Sequence, residues 1–350
     1  MTQYVSLGCP NCQTALTEEE ETIQCNHCGV TWPVVGGVPN FISEAPYWGE
    51  IDQGRMIEIN REIRNRPWRK VLMENSSEQV LKAAQMMMNP DRANWHLLLP
   101  LNKESIVLDV GAGTGAITGA MASSYHHVIA VEPVQERITF MQERFRQDGL
   151  HNVTLIRSGV TKLPLLPCSV DLAILNGVLE WIPWSVDKGN PRDIQIQALR
   201  RLYDLLRPGG FLCVGIENRW TPDYFGGAND PHADIPYVTI LPRFLADWYS
   251  RWKTGRPYRN YLYSAWGYRK LFRTAGFSDT QVYCALPSYN YPSFIVPFDK
   301  PVFSYYQEHF YLFESSKKKR FVLDLFRALG LDKWLVYSFF IIGRKGLEDA

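Results

Sequence analysis

From Ser105 onward the chain alternates short apolar runs with longer amphipathic ones. Ile106 to Val110, Val128 to Val131, Val153 to Ile156, Val170 to Leu175 and Phe211 to Ile216 are rich in Val, Ile, Leu and Ala. Runs of this length, bounded by turn residues, predict strands buried in a sheet. Ala116 to Ser123, Ile138 to Gln147 and Asp193 to Leu206 read as helices between them, the last stopped by Arg207-Pro208-Gly209-Gly210. Gly267 to Thr274 reads as a further helix, Thr280 to Ala285 as a sixth strand and Val336 to Arg344 as a final one. Strand alternating with helix predicts an α/β fold with a parallel sheet covered on both faces.

The same pattern divides the chain. Residues 1–43 hold short strand-like pieces and turn residues, closed by the Gly- and Pro-rich stretch Trp32 to Pro39. Residues 44–104 carry helical pieces, Arg61 to Asn65 and Ser77 to Met88, with Pro67 and Pro90 as breaks. This linker is expected to pack on the main domain and cover its ligand site. Residues 105–350 form that domain, with insertions at about 217–263 and 293–333, after the fifth and sixth strands.

Composition narrows the function classes. Of 350 residues, 46% are apolar, enough for a large core, and 37 basic side chains balance 36 acidic ones. Such a balance gives no long-range field toward phosphate backbones, so bulk nucleic-acid binding is not favoured. There is no apolar run long enough to span a bilayer and no secretory leader at Met1, so a cytoplasmic location is expected. The seven cysteines split into two CxxC pairs and three single residues, Cys168, Cys213 and Cys284, expected to be core thiols.

Two motifs carry chemistry. In Val107-Leu108-Asp109-Val110-Gly111-Ala112-Gly113-Thr114-Gly115, the glycines allow a sharp turn and close approach of a ligand. The turn alone also satisfies a dinucleotide fingerprint. Asp109, two residues before the first glycine, would repel a pyrophosphate but serve a cationic ligand with an amino-acid tail. Glu132 ends the second strand, where a carboxylate can accept ribose hydroxyls. The second motif is Cys9-x-x-Cys12, twelve residues, Cys25-x-x-Cys28. Two such knuckles can place four thiolates around a structural zinc ion, and four closed ligands leave no catalytic position.

Together with Asp171 to Leu175 and Leu205 to Leu212, the glycine turn resembles the class I S-adenosylmethionine (SAM)-dependent methyltransferase superfamily over residues 105 to about 285 and the last strand. The resemblance implies a Rossmann-like seven-stranded sheet whose last strand is antiparallel. It also implies Asp109, Gly111, Ala112, Gly113, Gly115 and Glu132 at SAM. The family's adenine-binding acid is replaced: the segment reads Arg157-Ser158-Gly159-Val160, leaving Ser158, Gly159 and backbone groups there. Asn176 is expected beside the cofactor. The N-terminal unit resembles zinc ribbons fused to, or partnered with, methyltransferases.

The acceptor should lie after the fourth and fifth strands. Glu180 follows the fourth, and the fifth leads into Glu217-Asn218-Arg219-Trp220 and an aromatic, polar stretch to His232. Aromatic faces and polar groups in this concentration suit a sugar-like ligand. Glu217, Asn218 and Arg219 are expected to hold it, and His232 to take its proton as general base, with Glu180 nearby. The alternative for His232 is a pin for its loop through Asp230. Motifs near Gly267 to Leu271 and Leu286 to Pro292 resemble methyltransferases of polysaccharide and glycan biosynthesis, which implies O-methylation of a sugar or glycan precursor. Competing readings are an RNA base methyltransferase with its zinc ribbon as clamp, and a SAM-binding partner without turnover. Lys317 to Arg320, followed by an amphipathic stretch, predicts a possible peripheral contact with an anionic membrane.

Overall fold

The computed structural model describes residues 5–43, 45–310, 325 and 328–348. The chain divides into two compact units, one of Met1–Leu175, Arg201–Leu212 and Lys345–Ala350, the other of Asn176–Arg200 and Cys213–Arg344.

The first unit opens with a four-stranded antiparallel sheet, β1 (Thr17–Glu18), β2 (Thr22–Gln24), β3 (Thr31–Val35) and β4 (Val38–Pro39), in sequential order. Three helices follow: α1 (Gln53–Glu62), α2 (Trp68–Met73) and α3 (Glu78–Met88). Asp52 caps α1 through bonds from the Gly54 and Arg55 amides, and Ser77 caps α3, as its place before Glu78 predicts. The parallel core is β5 (Ile106–Val110), α4 (Ala116–Ala122), β6 (His127–Val131), α5 (Gln135–Asp148), β7 (Val153–Ile156) and β8 (Val170–Asn176). Next come α6 (Pro191–Leu205) and β9 (Leu206–Glu217). α1 to α3 bury Ile59, Ile63, Trp68, Leu72 and Met87 in one cluster with Phe140 of α5. These helices therefore pack on α5.

The N-terminal sheet joins the core edge through backbone. Leu7 bridges Leu165, Asn40 bridges Arg157, and the Arg157 amide donates to Pro39 O at 2.9 Å. A Cβ on Gly8 would lie 2.8 Å from the Leu165 backbone, so this approach depends on glycine. Val38 packs with Ile138, Met141 and Phe145 of α5.

β9 belongs to both units. Its start gives the first unit the order β9-β8-β5-β6-β7, and its end gives the second unit β11-β10-β12-β9. The second unit adds α7 (Pro222–Phe225), α8 (Arg243–Thr254), α9 (Ala265–Ala275), β10 (Asp279–Ser288), β11 (Tyr291–Pro297), α10 (Lys300–Phe310) and β12 (Ser338–Arg344). β10 pairs antiparallel with both β11 and β12. In terms of the seven strands expected from sequence, the orders are fifth-fourth-first-second-third and sixth-seventh-fifth. β11 is an addition, formed where the second insertion was expected to begin.

Two local expectations change. Arg207-Pro208-Gly209-Gly210 stops α6 as expected but belongs to the fifth strand, which starts at Leu206 rather than Phe211: Gly209, at φ +80°, donates to Lys345 O at 3.1 Å, and the Lys345 amide donates to Gly210 O at 2.9 Å. Arg207 also bonds Asp171 Oδ2 at 2.8 Å, and the Ile106 amide donates to the same oxygen. Cys168 is exposed at φ +51°, a turn residue rather than a core thiol, whereas Cys213 and Cys284 are buried. Among the described residues, no helix is long and apolar enough to cross a membrane. The basic run Lys317 to Arg320 lies outside the described residues.

Candidate functional site

The glycine turn links β5 to α4. Gly111, Gly113 and Gly115 all have φ between +61° and +79°, a region that disfavours any other residue. A Cβ on Gly115 would lie 2.5 Å from the Phe145 ring, so this glycine lets α4 close onto α5. A Cβ on Gly113 would meet only the Arg137 guanidinium, at 3.7 Å, which leaves room for a ligand against the loop.

Two buried acids hold this loop. Asp109 accepts the Thr118 hydroxyl at 2.6 Å. Burial pushes its carboxyl up to about 6, against the hydrogen bond from Thr118 and the charge of Arg92. Asp109 is 2% exposed. Glu132 accepts the Gly113 amide at 2.8 Å through Oε2 and the Val134 amide at 3.1 Å through Oε1. Each oxygen keeps a second lone pair for a ligand hydroxyl. Burial raises its carboxyl, and Arg137, with a nitrogen at 3.9 Å, opposes this.

At the position of the missing adenine acid, a Cβ on Gly159 would meet nothing within 4 Å. Ser158 is buried, and its hydroxyl bonds Lys162 O at 3.1 Å, which closes the turn. These residues fit an adenosyl cofactor with a carboxylate for its ribose and open space where adenine would lie. In the second unit, the Asn176 amide is buried with neither polar atom hydrogen-bonded. A Cβ on Gly215 would lie 2.3 Å from its Oδ1, so glycine makes room for that side chain.

The acceptor candidates converge within the second unit. Glu180, Glu217 and His232 place one ligand atom each within 4.8 Å of one another. His232 Nε2 lies 3.5 Å from Glu180 Oε1, and its Nδ1 lies 3.0 Å from Asp230 Oδ1. Asp230 is itself fixed by the His232 amide at 2.7 Å, the Ala233 amide at 3.1 Å and the Tyr258 hydroxyl at 3.2 Å. It therefore pins the loop and aims the imidazole at once. Trp181 packs edge-on against His232 with centroids 5.0 Å apart. Tyr289 donates to Glu217 Oε1 at 3.0 Å. Both oxygens of Glu180 and Oε2 of Glu217 are buried without a hydrogen-bond partner.

Charge follows from this packing. Burial and the Glu180 carboxylate push Glu217 up to about 7, although His232 opposes them. Burial pulls His232 down, but bonds to Asp230 and Glu180 overcome it and carry the imidazole up to about 11. His232 thus stands as a cation between carboxylates, unlike the near-neutral imidazole assumed from its unperturbed value.

Two other residues expected at the acceptor are occupied elsewhere. Asn218 donates to Trp334 O at 2.7 Å and Val336 O at 2.8 Å and accepts the Trp220 amide. Arg219 donates to Thr239 O and Leu241 O. Sequence reasoning gave Asp230 only the role of a loop pin and gave Tyr289 no role at the site. For Asp230 the signal was its place two residues before His232. Tyr289 lies 72 positions from Glu217 and offers none.

The four cysteines of the first unit also meet. Cys9 and Cys28 sulfurs lie 3.6 Å apart, and Cys12 and Cys25 sulfurs 3.5 Å apart. All four lie within 4.8 Å of one another. A tetrahedral ion ~2.3 Å from each thiolate separates the sulfurs by about 3.8 Å, so the cluster fits a metal ion. His27 is exposed.

A family model described as a methyltransferase domain matches residues 108–214. The chain is 29% identical over 117 residues to a malonyl-[acyl-carrier protein] O-methyltransferase of Marinomonas sp. (strain MWYL1), covering 33% of this chain and 39% of that protein. It is 25% identical over 161 residues to phosphoethanolamine N-methyltransferase 1 of Triticum aestivum, covering 45% and 30%. It is 26% identical over 186 residues to a demethylmenaquinone methyltransferase of Listeria welshimeri, covering 52% and 73%. Among solved structures, Haemonchus contortus phosphoethanolamine N-methyltransferase 2 in complex with S-adenosyl-L-methionine is 15% identical, covers 79% of this chain and 60% of that one, and has a TM-score of 0.45. The chain thus spans less than half the length of the Marinomonas and Triticum relatives. The matched segment and the strand order give it a class I SAM-dependent methyltransferase fold.

Proposed function

We propose that the chain transfers the methyl group of SAM to a hydroxyl of a small polar acceptor, a sugar or glycan precursor. The observation that carries the acceptor side is the set of bare, buried oxygens on Glu180 and Glu217. Ionised carboxylates only accept hydrogen bonds, so these oxygens call for a ligand rich in donors, and a polyhydroxylated ring provides them. Two acids at one point disfavour a phosphate there, so any phosphate of a nucleotide- or lipid-linked sugar would sit away from this cluster.

The glycine turn, Asp109 and Glu132 would hold the cofactor, with Ser158, Gly159 and Asn176 around its adenosyl part. SAM, when bound, supplies an electrophilic methyl on a sulfonium. The chain's own task is to orient the acceptor oxygen in line with it and keep water out. The hydroxyl proton would pass to a carboxylate of the Glu180–Glu217 pair, with His232 beside it as the balancing charge. Asp230 keeps the imidazole in register and Tyr289 does so for Glu217. Cys9, Cys12, Cys25 and Cys28 would hold a structural zinc, which stabilises a ribbon too small to bury a core of its own.

Turnover measured as S-adenosylhomocysteine release, with mass analysis of the product, tests the reading. Incubation with sugar nucleotides, lipid-linked sugars, amines and RNAs should yield a methylated sugar. Methylation of RNA alone or an amine alone sinks it, and cofactor binding without transfer to any of them favours a non-catalytic partner.

A further inference from the structure

The cysteine cluster is one place where this chain can hold a metal ion, and the second unit contains another. We propose that Glu180, Glu217 and His232 form a binding site for a first-row divalent cation, separate from the cysteine cluster in both chemistry and position along the chain.

Three observations carry the assignment. One oxygen of each carboxylate and one imidazole nitrogen lie within 4.8 Å of one another, and the Glu180–His232 pair is 3.5 Å apart. An ion ~2.1 Å from each donor needs donors about 3–4 Å apart, so a small contraction completes the set. Next, the donors are bare. Both Glu180 oxygens and Glu217 Oε2 are buried without a hydrogen-bond partner, and Glu180 is fully inaccessible to solvent. Carboxylate oxygens buried without a hydrogen bond, with only His232 Nε2 at 3.5 Å from one of them, favour a cation among them.

The third observation is the support around the donors. Asp230 Oδ1 takes His232 Nδ1 at 3.0 Å, which leaves Nε2 facing Glu180. A carboxylate behind an imidazole fixes the ring and strengthens it as a metal ligand. Tyr289 holds the other oxygen of Glu217 at 3.0 Å and leaves Oε2 to point inward. Two carboxylates and one imidazole suit Mn2+, Fe2+ or Zn2+, while the four thiolates of the first unit select softer ions. Three protein donors leave coordination positions open, and under the acceptor reading above two neighbouring hydroxyls of a sugar fit them.

The test uses the full chain with its cysteine cluster zinc-loaded, and Mn2+ as probe, since thiolates disfavour it. Electron paramagnetic resonance titration should show one Mn2+ per chain. Glu217→Gln should weaken binding at least 10-fold, and Asp230→Asn, which acts through His232, about 10-fold. Pulsed measurements on the wild-type protein should show one imidazole nitrogen coupled to Mn2+, a readout that needs no variant. Mn2+ binding that is absent, that lacks the nitrogen coupling, or that is equal in wild type and a folded Glu217→Gln protein overturns the site. The readout is binding, so a failure to find methyl transfer leaves it standing, and the reverse holds too.

Discussion

Glu132 and Glu180 are both acids buried to within 1% of full inaccessibility, yet their surroundings are opposite. Glu132 has a backbone amide on each oxygen and Arg137 nearby. Glu180 has no hydrogen bond on either oxygen and faces Glu217 and His232. The first carboxylate organises a loop whether or not a ligand is present. The second is costly until something arrives. On the function proposed above, the two clusters would divide two tasks: one a preformed platform for the cofactor, the other a set of acceptor-side donors held by Asp230 and Tyr289.

The largest effect expected from this contrast is on turnover. Glu217→Ala should lower kcat by ~10²–10⁴-fold, the range for a group that moves a proton in the transition state, and His232→Ala should lower it through loss of the balancing charge. SAM affinity, measured by calorimetry, should stay within about 3-fold. A SAM affinity that falls as far as kcat would mean that the two clusters are one site, and the comparison would break.

Next comes pH. Burial raises Asp109 from 3.8 to about 6 in the folded state. The folded protein then holds a proton between about pH 4 and 6 that the unfolded chain has released. Stability from this group is present below pH 4, is lost as pH rises through 6, and the loss amounts to roughly 3 kcal/mol. Denaturant unfolding of wild type and Asp109→Asn at pH 4.5 and pH 7 should show the variant gaining relative to wild type at the higher pH. Parallel curves would place Asp109 in contact with solvent.

Smaller again is the cost of removing the ribose carboxylate. Glu132→Ala should weaken SAM binding by about 30-fold, roughly 2 kcal/mol, through loss of charge-assisted bonds. The finest discrimination is the amide swap in the absence of SAM and added Mn2+. Glu132→Gln should lower stability by about 1–2 kcal/mol, because an NH2 group replaces an acceptor opposite a backbone amide. Glu180→Gln should cost less, because neither Glu180 oxygen has a hydrogen bond to lose and only the 3.5 Å contact with His232 is weakened. Equal losses at both positions would mean that Glu180 is as well paired as Glu132.

Sequence alone carried the parts whose geometry is local. The glycine turn is legible because three positive-φ positions within five residues admit glycine and little else. The cysteine cluster is legible because two knuckles, each spanning four residues, fix pairs of ligands before any tertiary contact forms. The alternation of strand and helix followed from alternating apolar runs, which predict a sheet covered by helices. The acceptor cluster shows where such reasoning stops. Glu217, Asn218 and Arg219 are consecutive polar residues, yet only the Glu217 side chain reaches the cluster, while its neighbours bond backbone carbonyls. Adjacent side chains point in different directions, and only the fold around them decides which direction meets solvent, backbone or ligand. The protonation of His232 was likewise undecided, because it depends on burial and on carboxylates brought by separate segments. What the sequence determined was the set of residue types and their local spacing. What the tertiary structure decided was which buried acids gained hydrogen-bond partners and which did not, because those partners come from segments far apart in the chain.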